Sequence, residues 1–167
     1  VRVKQWLSVG VASALVGFAG LASAQTFEGT INGQPRSWHV LSQGGDSTVS
    51  ISQQGNQQMV VVQGHAEDNY GVKGTLTINA PMQNGQPASA PVVMYFPNAT
   101  IFPVYVAVAQ QPGKFDIKLS DATAQSTKVT GSYQGKLFRQ DMHGKAPDMN
   151  DSIDIDVKFD LKALNMQ

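Results

Sequence analysis

The sequence predicts an all-β antiparallel domain, a β-sandwich or β-barrel of about ten strands with little or no helix, and three observations carry that prediction. Residues 152–163, SIDIDVKFDLKA, place Ile153, Ile155, Val157, Phe159, Leu161 and Ala163 on one face and Ser152, Asp154, Asp156, Lys158, Asp160 and Lys162 on the other. Strict period-two alternation of this length reads as one half-buried strand, whereas a helix would scatter the same apolar residues around its circumference. Turn signals recur at short intervals: Asn32-Gly33, Gly44-Gly45-Asp46, Gly55-Asn56, Asn84-Gly85 and Pro112-Gly113. No helical period of any length follows Gln25; one short helix or turn around residues 122–126 is the only exception the pattern allows.

In chain order, the first element is expected to be removed. Arg2 and Lys4 form a positive n-region, residues 9–21 an apolar h-region, and Ala22-Ser23-Ala24 a small-x-small cleavage site. This predicts a signal peptide over residues 1–24 and a single all-β domain over 25–167. The apolar run is shorter than the roughly 20 residues a spanning helix needs, so a transmembrane protein is not expected. With no Cys in the chain, a lipid anchor and disulfides are both ruled out. The expected location is periplasmic or secreted.

Removing 24 of the 167 residues leaves 143, enough for one domain with its own core. The whole chain has 12 basic and 12 acidic residues, and losing Arg2 and Lys4 leaves a net charge of −2. That balance exerts no long-range pull on polyanions, so nucleic acid is excluded as a partner.

Strands are expected at residues 26–31, 37–41, 48–52, 59–63, 72–79, 92–96, 104–109 and 115–120. Residues 127–137 follow, with Val129, Tyr133 and Leu137 sharing a face with Gly131 and Gly135. This segment and 152–163 should form a long antiparallel hairpin across a linker at 139–151. Its outer face would set Lys128 and Lys136 among Asp154, Asp156 and Asp160. Trp38, alternating with His39, reads as a core residue.

Asn32-Gly33-Gln34-Pro35 followed by Trp38, and later Val129-Thr130-Gly131-Ser132-Tyr133 with Phe159 in a final strand, resemble the opening and closing motifs of a family of exported bacterial β-domains of unknown function. The resemblance would cover most of the mature chain. It implies an all-β fold and carries across no functional residue. Members of that family are often lipoproteins, from which this Cys-free chain departs.

Motifs for chemistry are sparse. His39, His65 and His143 lie in separate elements without zinc-site spacing. His65 with Glu67 and Asp68 is the densest cluster, and it reads as a solvated loop after a strand. Asp141, His143, Asp148, Asp151 and Asp154 gather around the last hairpin loop, but without the order of a calcium loop. Gly131-Ser132-Tyr133-Gln134-Gly135 places its Ser mid-strand and is no nucleophile elbow. No catalytic residue, metal or cofactor is expected, and an enzyme is the less favoured class.

The segment that departs most from an ordinary surface is 91–109, PVVMYFPNATIFPVYVAVA, which holds no charge. It reads as two buried strands around a loop rich in aromatic residues. If that loop plugs one end of a barrel or packs under its neighbours it is structural; if it is exposed, Tyr95, Phe96, Phe102 and Tyr105 form a ligand-binding surface for a glycan, a lipid or an envelope protein. The expected function is thus a non-enzymatic binding or structural domain of the cell envelope. The alternatives are a calycin-like carrier of a hydrophobic small molecule and a hydrolase using His65 or the Asp-rich loop.

Overall fold

The computed structural model describes residues 25–166; the expected signal peptide lies outside them. Within those residues the chain is all-β. In order the strands are β1 (Thr26–Ile31), β2 (Gln34–Ser37), β3 (Ser42–Gln43), β4 (Asp46–Ser47), β5 (Val49–Gln54), β6 (Gln57–Gly64), β7 (Leu76–Gln83), β8 (Gln86–Pro87), β9 (Val92–Tyr95), β10 (Val104–Val106), β11 (Lys114–Ser120), β12 (Ser126–Gln140) and β13 (Asp148–Met166). Ten of them are longer than two residues, and residues 122–125 form a bend rather than a helix. No helix among the described residues is long and apolar enough to cross a membrane.

Two five-stranded antiparallel layers face each other. One runs β2–β1–β13–β12–β11 and the other β5–β6–β7–β9–β10. The two longest strands join them. Leu164–Met166 at the end of β13 pair in parallel with Ser50–Ser52 of β5, and Phe138–Gln140 at the end of β12 pair with Val104–Val106 of β10. The pairings therefore close a ring through β12, β13, β5, β6, β7, β9 and β10. The fold is a sandwich in its layers and a barrel in its closure. The second junction needs a corner, and β12 supplies one. Its register to β13 jumps between Phe138, opposite Ser152, and Arg139, opposite Asp148. Extra residues on one strand bend the pair and free the other to change sheets.

Period-two patterning fills the space between the layers. Ile153, Ile155, Val157, Phe159, Leu161 and Ala163 on β13, Val129, Tyr133 and Leu137 on β12, Val60 and Val62 on β6, and Leu76, Ile78, Ala80 and Met82 on β7 belong to one buried cluster. Glycines make room for the large rings. A side chain at Gly131 would strike the Phe159 ring, and one at Gly64 would strike Trp38 and Phe27. Phe27 in turn meets Trp38 at 5.1 Å and the edge of Phe159 at 5.9 Å between ring centroids. Trp38 is core, as its sequence position suggested.

The strand expected at 37–41 is shifted to Gln34–Ser37. The reason is the Asn32-Gly33 turn: both residues have positive φ, +49° and +76°, and Ile31 pairs directly with Gln34. Such a two-residue turn restarts pairing at once. Beyond Ser37 the Trp38 N–H still donates to the Phe27 carbonyl of β1 at 2.8 Å, and His39 then bridges to His65. On the outer face of the β12–β13 hairpin, Lys128 pairs with Asp160 at 3.4 Å and Lys136 with Asp154 at 2.8 Å.

Candidate functional site

β7 lies between β6 and β9, and its residues alternate. Leu76, Ile78 and Ala80 point to the core, so Thr77 and Asn79 point away from it, with Thr75 just before the strand continuing their row. The register sets Gln63 and Met94 on either side of Thr77, and Val61 and Val92 on either side of Asn79. An outer face of this kind would ordinarily be wet. Here Thr75 is only 4% exposed and Thr77 only 7%. Two loops flank this face. Segment 65–75 folds over one end, and segment 96–103 rises beside it.

The result is a groove of about 410 Å³ whose walls include Gln63, His65, Tyr70, Thr75, Thr77, Asn79, Met94, Phe96 and Ile101. No Asp, Glu, Lys or Arg lines it. At its floor the Thr77 hydroxyl and the Asn79 Oδ1 are buried without a hydrogen-bond partner. An orphaned buried oxygen costs about 1–3 kcal/mol; of the three among the described residues, two lie at this floor and the third, the Tyr133 hydroxyl, lies in the core.

The loop over the groove is held from several directions. His65 is buried and bridged through its backbone to His39, with N···O distances of 2.8 and 2.9 Å. Its Nδ1 lies 3.0 Å from the Gly71 carbonyl and 3.2 Å from Thr75 Oγ1, while Nε2 lies 3.0 Å from the Gln63 amide nitrogen. The tautomer with its proton on Nδ1 satisfies this set: that N–H donates to the Gly71 carbonyl, and Gln63 donates to Nε2. Thr75 Oγ1 donates to the same Gly71 carbonyl at 2.9 Å. Trp38 Nε1 donates to the Gly74 carbonyl at 2.9 Å, tying the loop base to the core. Tyr70 stands edge-on to His65 with ring centroids 5.6 Å apart and is 54% exposed, an aromatic wall held in place but open on one side.

The four residues singled out from the sequence separate. Phe96 lines the groove, and its backbone continues the pairing by donating to Thr75 and accepting from Gly74. Phe102 is half-buried in the same loop, where its carbonyl accepts from Thr100 Oγ1 at 2.7 Å. Tyr95 and Tyr105 lie opposite each other on β9 and β10 and pack against the core. The Tyr105 hydroxyl donates to Asp151 at 2.9 Å. Burial first, then that hydrogen bond and the Asp151 charge, push the Tyr105 phenol above its ordinary pKa, against a smaller pull from Arg139. Of the 91–109 segment, Val92 on β9 is more than half exposed, so its strands are not covered on both faces throughout, and Ile101 in the connecting loop is exposed as well.

The Asp-rich loop spends its carboxylates one by one. Asp141 accepts from Arg139 at 2.8 Å and Lys145 at 3.3 Å, and these hydrogen bonds hold it below the ordinary carboxylate range. Asp148 accepts from the Asn150 backbone N–H, Asp151 from Tyr105 and Arg139, and Asp154 from Lys136. Among the described residues no three His, Asp or Glu side chains converge on a common point. The sequence reading missed Gln63, Tyr70, Thr75, Thr77, Asn79 and Ile101. The signal present for them was an uncharged polar row on a strand whose neighbours are apolar.

A scan against protein-family models finds no match, and no curated protein or solved structure is significantly similar to the chain. The likeness to exported bacterial β-domains therefore rests on its short motifs. Of these, Asn32-Gly33 makes a hairpin turn, and Trp38, Tyr133 and Phe159 are core residues.

Proposed function

We propose that this chain is an exported, non-enzymatic binding domain of the cell envelope whose recognition surface is the groove over β6, β7 and β9. The aromatic loop 96–103 forms one wall and the His65-anchored loop the other. The observation that carries this reading is the pair of orphaned oxygens, Thr77 Oγ1 and Asn79 Oδ1, at the floor of an uncharged groove with aromatic walls. Such a combination suits an uncharged ligand with an apolar flank to lie on Tyr70 and Phe96. Hydroxyl or N–H donors on its other edge would satisfy the floor once the covering side chains part.

Two features favour binding over the alternatives. His65 has both ring nitrogens engaged in holding the loop, which suits a structural histidine better than a proton carrier. The space between the layers is filled by Tyr133, Leu137, Phe159 and their neighbours, which suits a surface groove better than a carrier's hollow interior.

Native mass spectrometry of the chain purified from its own exported fraction tests the proposal. A retained mass that is released on denaturation, and that Tyr70→Ala with Phe96→Ser abolishes while the far-ultraviolet spectrum stays β, is the expected result. Retention unchanged in that double variant would move the site elsewhere, and a bare chain in every preparation would remove the case for a stably bound ligand.

A further inference from the structure

We infer that β11 is a self-association edge, on which a second copy of this chain pairs antiparallel about Ile117. The inference stands apart from the groove, because β11 belongs to the other layer. β11 is the outermost strand of that layer, bound to β12 along its whole length and unpaired on its other side. Among the described residues, no backbone hydrogen bond reaches that outer side. The short β8 comes near but makes its ladder with β7. The opposite edge of the layer, β2, is a poorer template: it has four residues, one of which is Pro35. β11 has seven and no proline.

The sequence of β11, KFDIKLS, is complementary to its own reverse. Centred on Ile117, an antiparallel pair sets Asp116 of each copy opposite Lys118 of the other, Phe115 opposite Leu119, and Lys114 opposite Ser120. Asp116 and Lys118 are exposed and make no ion pair among the described residues, in contrast to Lys128 and Lys136 on the hairpin beside them. Sliding the register by one two-residue step juxtaposes like charges, Lys118 with Lys118 in one direction and Asp116 with Asp116 in the other. Lysines on a free edge ordinarily discourage pairing. With Asp116 between them, they discourage every register near the centre but one. Half-buried Phe115 and Leu119 would each cover the other's flank. The product is an isologous two-fold dimer with one continuous layer through both copies. A single edge buries less than the about 1,600 Å² of a standard stable interface, so association should be reversible and concentration-dependent.

Sedimentation equilibrium over rising concentration tests it. The unaltered chain should pass from monomer to dimer, while Asp116→Lys alone and Lys118→Asp alone should each remain monomeric with unchanged circular dichroism. An equimolar mixture of those two variants should dimerise, because each supplies the charges the other opposes. A chain that stays monomeric at millimolar concentration overturns the inference. So does a dimer that persists in both single variants, or a mixture that fails to associate when the unaltered chain does.

Discussion

The outer face of β12 and β13 carries Lys, Asp, Ser, Thr and Gln, and the outer face of β6, β7 and β9 carries Gln, Val, Thr, Asn and Met. Both faces alternate with core residues at period two, and both back onto the same apolar cluster. The first stays in water, with the side chains of its Lys136–Asp154 pair 47% and 67% exposed. The second is flanked by two loops, and Thr77 at the floor of the groove between them is only 7% exposed. The difference follows from charge. Covering Lys and Asp would strip their hydration at a cost of several kcal/mol per ion, whereas an amide or hydroxyl can be covered for much less. An uncharged polar face is therefore the one on which a loop can settle, and a site can form at the edge of that loop.

The largest test of this contrast is removal of the loop's anchor. His65→Ala should cost about 2–4 kcal/mol, the sum of a buried cavity and an unmade hydrogen bond at Gln63. Urea unfolding should read that loss, and hydrogen exchange should rise first over 66–74. A loss below half a kcal/mol would mean that the loop is held chiefly by Trp38 and its own turns. Thr77→Val comes next and has the opposite sign. It keeps the shape and deletes an orphaned hydroxyl, so the folded chain should gain about 1 kcal/mol while losing retained ligand. Stability falling instead would show that the hydroxyl has a partner, such as a buried water. The smallest effect belongs to the wet face: Lys136→Ala should cost no more than about 0.5 kcal/mol and nothing in 1 M salt. A cost several times larger would erase the distinction between the two faces.

Much of the fold was legible because its strands announce themselves. Val157, Phe159 and Leu161 alternate with charges, and Asn-Gly pairs sit where two-residue turns must be. The charge pairs Lys128–Asp160 and Lys136–Asp154 followed from the same pattern. Ring closure was not legible, since nothing in Leu164-Asn165-Met166 specifies a parallel partner on β5. The groove was legible only in part. Phe96 stood out as an aromatic in an uncharged loop, but Thr75, Thr77 and Asn79 look like any solvated strand face. Their burial goes with loop 65–75, which is held by its own His65–Gly71 contact and by Trp38, 36 residues before the Gly74 carbonyl it binds. Tyr95 and Tyr105 stood out for the same reason as Phe96, and the β9–β10 register turned them inward.

The ladder between β1 and β13 joins Thr26 to Asp160 and Ile31 to Ile155, so the first described strand has its main partner in the last. Until β13 is available, β1 can pair only with the four residues of β2, and the rings of Phe27 and Trp38 lack the Phe159 edge that completes their cluster. Domains dominated by such distant pairings acquire their native state over about milliseconds to seconds, because the intervening chain must be ordered before the contacts repay it. The layer containing β5, β6, β7 and β9 is built from neighbouring hairpins and can assemble early. The other layer is finished only from both ends at once. The ring cluster of Phe27 and Trp38 therefore cannot be completed by its Phe159 edge until the last strand of the chain has been made.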